Sequence, residues 1–64
     1  MKEYLLLLSG MNKENELEEF VNIIVLADNS NEANKKADNY MSNFDNELCW
    51  DVQQCTELTD IIRV

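Results

Sequence analysis

The chain has 64 residues, with 13 acidic side chains against 5 basic ones and no histidine, for a formal charge of −8. A length this short supports one domain (1–64) that buries only about 60% of the surface its unfolded chain exposes, so a deep catalytic cleft is hard to build. The charge disfavours direct contact with nucleic acid or an anionic membrane and favours a basic partner. The apolar fraction, 45%, exceeds that of a disordered acidic tail.

Lys2–Ser9 reads as a strand, with Tyr4, Leu6 and Leu8 on one face and Leu5 and Leu7 on the other. Apolar residues on both faces suggest a central position in a sheet. Gly10, the only glycine, is expected to end the run through its backbone freedom. Asn12–Glu19 is polar and reads as an exposed loop or turn. The alternative is a short helix anchored by Leu17 and Phe20. Phe20–Ala27 reads as a second strand, because Ile23, Ile24, Val25 and Leu26 are mostly β-branched. The short link favours antiparallel pairing.

Asp28-Asn29-Ser30 supplies side-chain oxygens for a helix N-cap, and Asn29 with Glu32 has the spacing of a capping box. The helix is expected to reach Phe44, with an apolar stripe of Ala33, Ala37, Tyr40, Met41 and Phe44. Leu48–Leu58 then alternates. Leu48, Trp50, Val52, Thr56 and Leu58 are expected on one face, interrupted by Gln54. Cys49, Asp51, Gln53, Cys55 and Glu57 are expected on the other. Ile61, Ile62 and Val64 extend that strand or form a fourth. The expected fold is α+β: a small β-β-α-β(-β) domain, mainly antiparallel, with one helix packed on one face of the sheet.

Chemistry is constrained by what is missing. Without histidine there is no usual base at neutral pH, no serine or cysteine triad and no histidine zinc site. One glycine cannot build a phosphate loop. Asp28-x-Ser30-x-Glu32 begins like a calcium loop, but Ala33 and Asn39 stand where glycine and glutamate are needed. No enzyme, metal or cofactor is therefore expected. Cys49 and Cys55 lie roughly 20 Å apart if their strand is straight, too far for a disulfide. They read as small, partly buried apolar residues, with a reactive or redox thiol as the alternative.

A signal peptide is not expected, because the Leu5–Leu8 run is short and Glu3 flanks it. A reducing, cytoplasmic setting follows, and a host bacterial cytoplasm if the chain is phage-encoded. In size, charge and asparagine content the chain resembles the small acidic early proteins with which bacteriophages disable host machinery. That resemblance lies in composition and transfers no site. It implies a non-enzymatic inhibitor that binds a basic nucleic-acid-binding protein and competes with its DNA. The acidic surface expected to carry this comprises Glu14, Glu16, Glu18, Glu19, Asp45, Glu47, Asp51, Glu57 and Asp60. Asp51 and Glu57 are expected on one strand face. The alternative is an adaptor or antitoxin-like inhibitor that docks through an apolar sheet face or strand edge. One helix covers one face only, so the other face, with Leu5, Leu7 and half of the second strand, is expected to bind a second copy or a partner; Trp50 reads as core, or as the anchor of that contact if it lies on the face away from the helix.

Overall fold

A computed structural model describes residues 1–59. It contains β1 (Lys2–Met11), β2 (Leu17–Ala27), α1 (Ser30–Phe44) and β3 (Cys49–Glu57). The strands form one antiparallel sheet in the order β2-β1-β3, with α1 on one face. This is the expected α+β architecture, with the doubly apolar β1 at the centre. The segment expected to add a final strand, including Ile61, Ile62 and Val64, lies outside the described residues.

The core forms where the helix-facing row of β1 meets α1. Tyr4, Leu6 and Leu8 from β1 pack with Ala27, Ala33, Ala37, Met41 and Trp50. Leu6 and Leu8 are fully buried, and burial of a leucine side chain contributes about 2 kcal/mol. Ala33 and Ala37, also fully buried, let α1 approach the sheet closely. Val21, Ile23 and Val25 of β2 flank this core half-buried. Tyr40 and Phe44 depart from the expected stripe. Both are exposed, with their rings stacked 6.1 Å apart beside β2. Helical spacing keeps both within about 20° of Ala33, but their rings overhang the edge strand β2 instead of entering the core.

Asn29 caps α1 as expected, and its side-chain oxygen accepts a bond from the Glu32 amide at 2.9 Å. The Asn12–Glu19 segment is neither a helix nor wholly a loop. It is the tip of a hairpin, and Glu18 and Glu19 belong to β2. Asn12 Oδ1 accepts from the Glu14 and Glu16 amides, while Asn15 takes a left-handed conformation (φ 59°) that asparagine tolerates better than most residues. This local chemistry closes the turn without glycine.

Gly10 also differs from expectation. It lies inside β1, and no glycine has positive φ. Its function is steric. A Cβ there would sit 2.8 Å from the Trp50 ring and 3.0 Å from Leu48 Cδ1. The missing side chain makes room for the indole.

The third strand carries the largest correction. Leu7 pairs with Gln54 and Leu8 with Val52, so Gln53 is the extra residue of a bulge. The bulge reverses the alternation. Cys55 turns to the core face, while Gln54 and Thr56 line the open face with Leu5 and Leu7. Gln53 Nε2 donates to Ser9 Oγ at 2.8 Å, which satisfies a buried hydroxyl.

Candidate functional site: an acidic cleft at the hairpin end

Antiparallel pairing brings two connections to the same end of the sheet. The β1–β2 turn follows Met11, and the α1–β3 loop enters at Cys49, which pairs with Met11. An open cleft forms between them, lined by Asn12, Lys13, Glu14, Glu18, Glu19, Asp45, Glu47 and Leu48. Five of the nine acidic residues singled out from the sequence therefore converge here.

Local hydrogen bonds hold the walls. Asn12 Nδ2 donates to Glu18 Oε1 at 2.8 Å, and Asp45 Oδ1 accepts from the Glu47 amide at 3.1 Å. The backbone oxygen of Asp45 accepts from Trp50 Nε1 at 2.9 Å, which ties the loop to the core. Among the described residues Lys13 is the one basic side chain lining the cleft. Lys2 and Lys36 are engaged elsewhere, in ion pairs with Glu57 (3.3 Å) and Glu32 (3.0 Å).

The remaining acidic candidates separate from this group. Glu16 is exposed in the hairpin turn but does not line the cleft. Asp51 and Glu57 do not share a face. Asp51 pairs with Ser9 on the open face, whereas Glu57 pairs with Tyr4 on the helix face. The Gln53 bulge between them is the cause. Asp60 lies outside the described residues.

The apolar set divides as well. Leu5, 37% exposed, and the half-buried Leu7 lie on the open face as expected. Trp50 does not. It is 6% exposed and packs under the helix beside Gly10, so it cannot anchor a partner on the open face. Phe20, Ile24 and Leu26 on β2 are exposed as well and alternate with Val21, Ile23 and Val25, as expected of half of the second strand.

Both cysteines are free. Cys55 packs against the core, but Cys49 is exposed rather than partly buried. Among the described residues no three cysteine or carboxylate side chains lie close enough to share a metal ion. No helix among them is long and apolar enough to cross a membrane.

No protein-family model matches the chain, and neither a curated protein nor a solved structure matches it.

Proposed function

We propose that the protein is a non-enzymatic acidic inhibitor, of the kind phages direct at host proteins, and that it binds a basic nucleic-acid-binding protein in competition with DNA. The convergence of Glu14, Glu18, Glu19, Asp45 and Glu47 on one cleft supports this reading. A lysine- or arginine-rich surface is the complementary chemistry, and carboxylates grouped at one end can occupy sites that phosphates otherwise fill. The partner is a protein, not nucleic acid or a membrane, and the binding needs no cofactor.

The test is a pull-down from nuclease-treated bacterial lysate, eluted with a salt gradient, followed by DNA competition with the captured protein. A basic DNA-binding protein released at moderate salt, and displaced by DNA, is the expected outcome. At about 0.5 kcal/mol per exposed ion pair, neutralising the five cleft carboxylates together weakens binding roughly 70-fold. Unchanged affinity in that variant would refute the proposal.

A second reading is supported by the open sheet face, where Leu5, Leu7 and Ile24 form an apolar strip. An adaptor or antitoxin-like inhibitor would dock a partner there. Under that reading Leu5→Asp abolishes capture, and capture resists high salt.

A further inference from the structure

The two edges of the sheet are not alike. The β3 edge is guarded. It carries a bulge at Gln53 and charged side chains at Asp51 and Glu57, features that discourage pairing with another strand. The β2 edge has no such guard over most of its length. Phe20–Ala27 is eight residues without a charge, a proline or a glycine, and its register with β1 is unbroken.

The backbone groups on that edge can be assigned. The Leu58 amide donates to the Glu3 carbonyl at 2.9 Å, so the polar groups of Glu3 face β3. Leu26, which pairs with Glu3, must then turn its own amide and carbonyl outward. Lys36 Nζ confirms this independently, lying 2.8 Å from the Leu26 carbonyl oxygen. Alternation along the regular strand gives Ile24, Asn22 and Phe20 the same outward direction. The edge thus presents a row of N–H and C=O groups, flanked on the helix side by the exposed Tyr40 and Phe44 rings.

We infer that β2 pairs antiparallel with β2 of a second copy of this chain, about a two-fold axis at Ile23, to form one six-stranded sheet. Charge selects this occupant. The paired span is neutral in both copies, and the antiparallel arrangement carries the two acidic clefts to opposite ends of the joined sheet. Glu19 of the second copy falls opposite Ala27, beside Lys36. The Lys36 ammonium then releases the Leu26 carbonyl to the Phe20 amide of the second copy and meets the Glu19 carboxylate. Side chains also match. Phe20 faces Leu26, Val21 faces Val25, and Ile23 faces itself. A parallel arrangement would set both acidic ends side by side. This assignment does not depend on what the acidic cleft binds.

The experiment uses the purified chain alone, so its outcome is separate from partner capture. Sedimentation from about 1 µM to about 1 mM is expected to show a reversible dimer. Amide exchange at Phe20, Asn22, Ile24 and Leu26 is expected to slow as concentration rises, while Val21, Ile23 and Val25 stay protected throughout. Ile24→Pro removes only an outward N–H that the described residues of the isolated chain leave free, and is expected to raise the dimer dissociation constant at least tenfold with an unchanged circular dichroism spectrum. A chain that is monomeric up to the highest concentration overturns the inference. So does a dimer whose β2 amides exchange at the same rate at every concentration, or one that Leu5→Asp dissociates and Ile24→Pro leaves intact. The exchange measurement is made on the unaltered chain, so it decides the matter even if the proline variant fails to fold.

Discussion

Gly10 and Trp50 are two halves of one packing feature. The indole occupies the space that any side chain at position 10 would need, with both contacting ring atoms 2.8 Å from the missing Cβ. The ring cannot retreat freely, because its Nε1–H is bonded to the Asp45 carbonyl. Gly10→Ala therefore forces either the ring or strand β1 to move, and overpacking of this kind costs about 1–3 kcal/mol. Urea unfolding followed by tryptophan fluorescence measures the loss directly. A variant as stable as the original would show that the ring has room to shift. The same pair shows a limit of reading sequence. A lone glycine after an apolar run signals a chain break as readily as it signals a large neighbour. The neighbour, Trp50, is forty residues away in the chain and becomes apparent only when the register is known.

At the scale of elements, local signals were legible and the strand irregularity was not. Asn29, the start of α1 and its end at Phe44 follow from capping chemistry and apolar spacing confined to one stretch of chain. The bulge in β3 depends on how that strand lies against β1. Nothing in Val52-Gln53-Gln54-Cys55 except two consecutive polar residues hints at it, and without it Asp51 and Glu57 would share a face. The helix start yields a measurable consequence. Asn29→Ala leaves the Glu32 amide without its partner and is expected to cost about 1 kcal/mol by chemical denaturation. Glu32 adds a pH dependence. A hydrogen bond from Lys36 is the main cause that holds its carboxyl below the usual 4.5, helped by a backbone bond, with partial desolvation opposing. The folded chain then binds fewer protons than the unfolded chain in that range. The stabilisation is fully present above pH 4.5 and disappears as pH falls through the lower folded value. Glu32→Gln is expected to flatten the stability profile in that acidic window and leave neutral pH little changed. An identical profile in the two chains would assign the acid sensitivity elsewhere.

The whole molecule is polarised, and composition alone does not reveal the polarity. A charge of −8 is compatible with an evenly solvated exterior. The antiparallel hairpin and the return from α1 instead gather five carboxylates at one end, with Lys13 as the basic residue among them. At the opposite end Lys2 and Lys36 pair with Glu57 and Glu32. Carboxylates held together repel one another in the folded state and relax apart when the chain unfolds, so the cleft should work against stability in the absence of a partner. Added salt screens that repulsion, since the screening length falls from about 10 Å at 0.1 M to about 3 Å at 1 M. Salt also weakens the two exposed ion pairs, but such pairs contribute little individually. The repulsive set is larger, so the melting temperature is expected to rise with sodium chloride between those concentrations. Replacing Glu14, Glu18, Glu19, Asp45 and Glu47 with their amides should raise the melting temperature at low salt and remove most of its salt dependence. Retention of the full dependence in that variant would mean that the repulsion is distributed over the entire surface, and the cleft would lose its claim to be an electrostatically distinct site.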